Sequence, residues 1–168
     1  MSATAHPKLA MRPFLPTDVP LLAEIFRASI EESTSDDYSD AQRDAWAGLA
    51  EDEEAFGKRM AGQLTLLGTM GGSPVGFASL KEPDEIDMLY VHPAAAGQGV
   101  GGMLIDALEK LAAARGAKRL TADVSDSAHD FFKRRGFVPE RRNTVACGSE
   151  WLANTTMAKT LVAKEAAP

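Results

Sequence analysis

Apolar residues recur along this chain with two different spacings, and their order lays out a fold. Residues 1–7 read as a loose tail, and residues 8–14 as a first strand. Leu21, Leu22, Ile25, Phe26 and Ile30 then fall at helical spacing behind Thr17-Asp18, a pair of N-cap type. Ser39-Asp40-Ala41-Gln42 has the form of a capping box, in which hydroxyl and amide each satisfy a backbone N–H. It predicts a second short helix carrying Trp46, and residues 52–60 predict a third. The texture changes next. Residues 64–70 and 75–80 read as the two strands of a hairpin around Gly71-Gly72-Ser73, and residues 85–91 form another strand. Residues 99–114 predict a long helix with Met103, Leu104, Leu108 and Leu111 on one face and Gly116 as its stop. A strand over 119–124, a helix over 126–135, and a closing hairpin of 137–145 and 151–161 complete the series, with 164–168 as a frayed end. The order predicts a mixed α/β fold with an antiparallel first half. Neither repeat nor linker interrupts it, so residues 1–168 read as one domain.

The junction after residue 91 carries the chemistry. An apolar strand ends at His92-Pro93, and the glycine-rich run Ala94 to Gly102 opens directly into the long helix. Gly97, Gly99, Gly101 and Gly102 leave backbone N–H groups bare at a helix N-terminus, where the helix dipole favours an anion. A plain flexible turn is the alternative, but strand, loop and helix stand in the order a phosphate cradle requires.

Composition narrows the classes. With 45% hydrophobic and 25% charged residues the chain is ordinary for a globular protein, and its single cysteine rules out an internal disulfide, which suits the cytoplasm. A net charge of −6 argues against a nucleic-acid partner, and no apolar run is long enough to span a membrane. His6, His92 and His129 show no metal-ligand spacing, and Cys147 has no histidine beside it, so neither a metal site nor a thiol nucleophile is expected.

Gly97-x-Gly99-x-x-Gly102 also satisfies the dinucleotide-binding pattern, with Asp123 about 20 residues on, as in NAD(P)-dependent oxidoreductases. That fingerprint normally opens its domain. Here a strand, three helices and a hairpin precede it, and too little chain follows for a doubly wound sheet.

Residues 85–137 resemble the GNAT superfamily of acetyl-CoA-dependent N-acetyltransferases. The resemblance rests on Glu85 to Pro93, the loop Ala96-Gly97-Gln98-Gly99-Val100-Gly101, and Phe131-Phe132-Lys133-Arg134-Arg135-Gly136-Phe137. The flanking segments 38–46 and 148–157 are similar to the YafP-like bacterial subgroup. The resemblance implies a mainly antiparallel sheet of about seven strands flanked by helices. It implies transfer of the acetyl group from acetyl-CoA, as co-substrate, to a primary amine by direct attack in a ternary complex. The pantetheine arm would pair with the backbone of Leu89, Tyr90 and Val91, and the pyrophosphate would rest on Gly97, Gln98, Gly99, Val100, Gly101 and Gly102. Ser125 matches a position that often contacts the cofactor, and Phe132 stands where the family has its usual acidic tyrosine. Ala96 stands where Gln or Arg is usual, which leaves the cradle without a side-chain charge.

An amine must lose a proton before it attacks a thioester. Glu85 and Asp87 lie two apart on the strand and are expected to share one face with Leu89 and Val91; in the family both positions serve as general bases, and Asp87 is the preferred one here. Two solvated carboxylates are the bland reading of the same pair. Tyr90 and Tyr38 are the phenols left to replace the tyrosine absent at Phe132. The acidic runs Glu31-Glu32, Asp36-Asp37 and 51–54 are candidate contacts for a cationic acceptor. Polyamine, aminoglycoside, amino acid and protein N-terminus remain open as acceptors, and a monomer or homodimer is expected. A non-catalytic CoA-binding module is the remaining reading, because Phe132 and Ala96 both depart from the family.

Overall fold

The computed structural model describes residues 8–161, so the two expected tails lie outside the described residues. The strands are β1 (Leu9–Pro13), β2 (Leu64–Met70), β3 (Ser73–Lys81), β4 (Glu85–Val91), β5 (Arg119–Ser125), β6 (Val138–Cys147) and β7 (Glu150–Thr160). The helices are α1 (Val19–Ser33), α2 (Asp40–Ala47), α3 (Glu53–Ala61), α4 (Val100–Ala114) and α5 (His129–Arg134). All seven strands form one sheet in the order β1-β2-β3-β4-β5-β7-β6, antiparallel except for the β4–β5 pair. That is the mainly antiparallel α/β sheet expected from the sequence, and it is not the doubly wound parallel sheet of a dinucleotide-binding domain.

Two apolar cores cover the two faces. On one, α4 packs Leu104, Ile105 and Leu108 against Ala78, Leu80, Ile86, Leu120, Ala122 and Val124. On the other, α1 and α3 bring Leu22, Phe26, Phe56 and Met60 onto Leu67, Phe77 and Met88. The N-terminus of α4 sits close against the sheet because Gly68 and Gly76 have no side chains. A Cβ on either would lie 2.9 or 3.0 Å from Val100 Cγ1.

Ser39 caps α2 as its pattern predicts: Gln42 N–H donates to Ser39 Oγ at 3.1 Å, and Ser39 N–H donates to Gln42 Oε1 at 2.9 Å. Asp18 does not cap α1. Its buried carboxylate instead accepts two bonds from Arg12 at 2.7 and 2.8 Å and one from Leu15 N–H at 2.8 Å, tying the end of β1 to the start of α1.

The Arg12 hydrogen bonds hold the Asp18 carboxyl below its ordinary pKa, against the opposing pull of burial. A depressed folded-state pKa stabilises the protein fully above the unfolded value, about 3.9 for Asp, and is lost as pH falls through the folded value. Asp18→Asn is expected to cost about 1–2 kcal/mol in urea unfolding at pH 7, since Arg12 remains partly in solvent. The two proteins should converge as pH falls through the folded-state value of Asp18. A penalty that persists in acid would show that the charge is not its source.

Candidate active site

The site begins with an interruption in the β3–β4 ladder. Ser79 pairs with Met88 and Leu80 with Ile86, so Asp87 is the extra residue of a β-bulge. A bulge breaks the alternation of faces, and the packing records it. Ile86 packs in the α4 core, Met88 in the α1–α3 core two residues later, and Leu89 and Val91 again on the α4 side. Asp87 points toward α3. The expectation that Glu85 and Asp87 share a face with Leu89 and Val91 is therefore corrected, because strict alternation holds only on an unbulged strand.

The bulge also coincides with the opening of the sheet. β4 and β5 are registered at just two pairs, Glu85↔Thr121 and Ile86↔Ala122. Beyond them the strands part, and a cavity of about 170 Å³ passes between them, lined by Ile86, Leu89, Val124, Ala128 and Phe132 from the α4 side. Ser29, Ile30 and Ser33 of α1, with Thr34 just beyond its end, close the other side. A second cavity of about 260 Å³ adjoins it, between α2 and the β6–β7 hairpin, with Leu49, Arg59, Val145, Cys147, Leu152 and Asn154 in its wall. Trp46, Asp87, Tyr90, Asp123 and Ser125 border both. This junction brings together Asp87, Tyr90 and Ser125 from the candidates read in the sequence. Glu85 borders neither cavity.

Each junction group has its own electrostatic setting. Burial would raise the Asp87 pKa, but Arg59 Nε–H and Gln63 Nε2–H each donate to Oδ2 at 2.8 Å, and the balance leaves it lowered. Glu85 is raised, first by burial and then by its carboxylate neighbours Asp123, Asp87 and Asp84, with Lys81 opposing. Tyr90 is pushed up to about 12 by burial. Its ring packs edge-on to Phe26 at 4.6 Å, and its hydroxyl accepts from Trp46 Nε1–H at 3.3 Å. That leaves the phenolic proton free to donate.

Tyr38 is a structural bolt. Its hydroxyl donates to the Ala153 carbonyl at 2.6 Å and accepts from Asp126 N–H at 2.9 Å, joining the α1–α2 loop to β7 and to the segment before α5. Ser125 Oγ accepts from Ala128 N–H at 3.2 Å. The acidic runs between α1 and α3 line neither cavity, a correction to the expectation of acceptor contacts there.

At the other end of the gap lies the glycine-rich loop. Gly97 and Gly99 adopt φ of 76° and 88°, which L side chains rarely reach, and Gly99 immediately precedes α4. The first backbone bond into the helix is Met103 N–H to Gly99 O at 3.0 Å. Among the described residues no carbonyl accepts from the N–H groups of 97–102, so six donors surround one helix end.

Residues 34–161 match the family model described as the acetyltransferase (GNAT) domain. The chain belongs to the GNAT acetyltransferase family. A GCN5-related N-acetyltransferase from Rhodopseudomonas palustris is 58% identical, with a TM-score of 0.91 over 95% of this chain and 100% of that one. The uncharacterised N-acetyltransferase YafP of Escherichia coli K12 is 32% identical over 89% of this chain and 94% of its own. The PaiA N-acetyltransferase of Thermoplasma acidophilum, solved in complex with coenzyme A, shares the fold at a TM-score of 0.75 and 19% identity, over 91% of this chain and 99% of that one. This GNAT protein is therefore an acyltransferase, and acetyl-CoA is the family's typical co-substrate. No helix among the described residues is long and apolar enough to cross a membrane.

Arg59 is the site residue that sequence reading missed. It looks like an ordinary cation in the last turn of a short helix, and its partner Asp87 lies 28 residues away. Leu49 and Asn154 likewise reach the cavity only through tertiary packing.

Tyr38→Phe leaves Asp126 N–H and the Ala153 carbonyl short of a partner at once. It is expected to lower stability by about 1–3 kcal/mol in thermal or urea unfolding. A change under about 0.5 kcal/mol would mean that water replaces the hydroxyl.

Proposed function

We infer that this protein moves the acetyl group of acetyl-CoA to a primary amine by direct attack within a ternary complex. The observation that supports this most is the alignment of three features. Six free N–H donors at the start of α4 lead to the unpaired edge of β4, and that edge leads into the junction of the two cavities.

In this reading residues 1–168 act as one N-acetyltransferase domain. The N–H groups of Gly97, Gln98, Gly99, Val100, Gly101 and Gly102 take the pyrophosphate, assisted by the α4 dipole rather than by a side-chain cation. The pantetheine arm lies along Leu89, Tyr90 and Val91 as an added strand, with Ser125 and Phe132 beside it, and the thioester reaches the junction. The acceptor amine enters through the cavity between α2 and the closing hairpin.

The neutral nitrogen attacks the thioester carbonyl carbon to form a tetrahedral intermediate, the carbon–sulfur bond then breaks, and the remaining excess N–H proton passes to water or the departing thiolate. Before attack the ammonium form must give one proton to a base on the protein. Asp87 is poorly suited to take that proton, because its hydrogen bonds already favour the charged form and weaken it as a base. Glu85 is the better sink, since its pKa is raised, and because it borders neither cavity it acts through water. Asp87 holds Arg59 in place. Phe132 has no proton to donate, and a thiol of pKa near 8.5 leaves as a thiolate without one. The free phenolic proton of Tyr90 supports the developing charge by hydrogen bonding.

Acetyl-CoA at about 100 times its Kd is expected to stabilise the protein by about 2.7 kcal/mol, read as a melting shift, and NADH is expected to give none. Gly99→Asn and Gly99→Asp carry similar backbone strain at a φ of 88°, but Asp alone adds a negative charge to the cradle. Acetyl-CoA affinity should fall at least about tenfold further in the Asp variant, about 1.4 kcal/mol. Equal affinities would place the phosphates elsewhere.

Glu85→Gln should lower kcat by about 10²–10⁴ near neutral pH. In the wild type the rate should rise with pH through an ionisation above the usual carboxylate range, and this limb should vanish in the variant. Asp87→Asn should act mainly on the acceptor KM. Near-normal kcat in Glu85→Gln would move the base to Asp123.

A further inference from the structure

The walls of the second cavity carry information about the acceptor that the reaction itself does not require. Both of its carboxylates, Asp87 and Asp123, lie at the junction where the amine must sit. The distal wall is, among the described residues, apolar or neutral apart from Arg59. Among the described residues Arg59 donates a side-chain hydrogen bond only through Nε, to Asp87. The four N–H donors on its two Nη atoms are unclaimed in a guanidinium that borders the cavity.

We propose that the acceptor is a small primary amine carrying its own carboxylate, of the α-amino-acid class, with an apolar side chain. This rests on the reading of the junction as the site of acetyl transfer. The ammonium group lies between Asp87 and Asp123, and one hydrogen bond away the Arg59 fork takes the carboxylate. A single ion pair thus spaces the two recognition groups as they are spaced on an α-amino acid. The side chain then meets Leu49, Val145, Leu152 and the Trp46 ring. A cavity of about 260 Å³ falls below the roughly 300–1,000 Å³ typical of drug-sized ligands, which disfavours an aminoglycoside. A polyamine is disfavoured for another reason. Its second ammonium would face Arg59 or apolar side chains, with no carboxylate left to receive it.

The test compares L-leucine with L-leucinamide, putrescine and a peptide whose lysine is the only free amine, by thiol release from acetyl-CoA. Amidation lowers the pKa of the α-amine, so chemistry alone favours the amide. A preference for the acid must therefore come from recognition. In the wild type kcat/KM for leucine should exceed that for leucinamide by about ten- to a hundredfold. Arg59→Gln should reduce that ratio to near one, and Arg59→Lys should retain part of it, since a point charge survives but the fork is lost. A binding arm runs in parallel: leucine should raise the melting temperature of the CoA-saturated wild type and leave Arg59→Gln unmoved. If CoA itself gives no melting shift, the transfer reading fails and this proposal fails with it. If CoA binds and putrescine, leucinamide or the lysine peptide is the better acceptor, or leucine gives no shift, the acceptor assignment alone is overturned. The acid–amide comparison needs no variant, so it stands even if Arg59 substitutions unfold the protein.

Discussion

The bulge at Asp87 is the constraint on which the rest of the site depends. A strand of seven residues with strict alternation would continue beside β5 and close the sheet. One extra residue in β4 turns Asp87 and Met88 toward the same side and bends the strand at the point where its pairing with β5 ends. From that one irregularity follow the gap between the strands, the cavity through it, and the unpaired backbone edge available to an extended ligand. The free donors at the start of α4 face the same region because Gly68 and Gly76 let Val100 settle onto the sheet.

The bulge fixes the electrostatics as well as the shape. An unpaired Asp87 aimed at α3 meets Arg59 and Gln63, and this costs it basicity while it organises a guanidinium beside the cavity. Glu85, one alternation earlier, keeps no such donors and is pushed the other way by burial and by its carboxylate neighbours. Two carboxylates that look equivalent in the sequence are driven apart in proton affinity by their different surroundings.

How far this was legible in the sequence depends on the range over which each signal acts. The capping box at Ser39, the strand over residues 85–91 and the glycine loop were plain because their causes are local: a reciprocal hydrogen bond, an apolar period, a run of residues without Cβ. The Asp18 carboxylate misled for the opposite reason. It has the form of a helix cap, yet a cation six residues earlier claims it. The spacing of Glu85 and Asp87 carries no sign of the Arg59 hydrogen bond, 28 positions away, that sets the Asp87 carboxylate apart. No local pattern announces a bulge whose partner strand is needed to define it. The Tyr38 bonds to Ala153 and Asp126 span 115 and 88 positions and were equally out of reach.

Two registered residue pairs are a thin seam for a seven-stranded sheet. Across it the β1–β4 block and the β5-β7-β6 block are joined mainly by side chains of the α4 core, where Ile86 and Leu80 meet Leu120, Ala122 and Val124. A hydrogen-bond ladder fixes both distance and angle, whereas apolar packing is non-directional and tolerates small rotations. Beyond those two pairs the gap can therefore widen without breaking a backbone bond. The seam is also the part of the molecule whose cohesion weakens on cooling, as apolar contacts do near and below room temperature. Outside the short ladder the two halves are held by this apolar packing and by the Tyr38 bonds to Ala153 and Asp126.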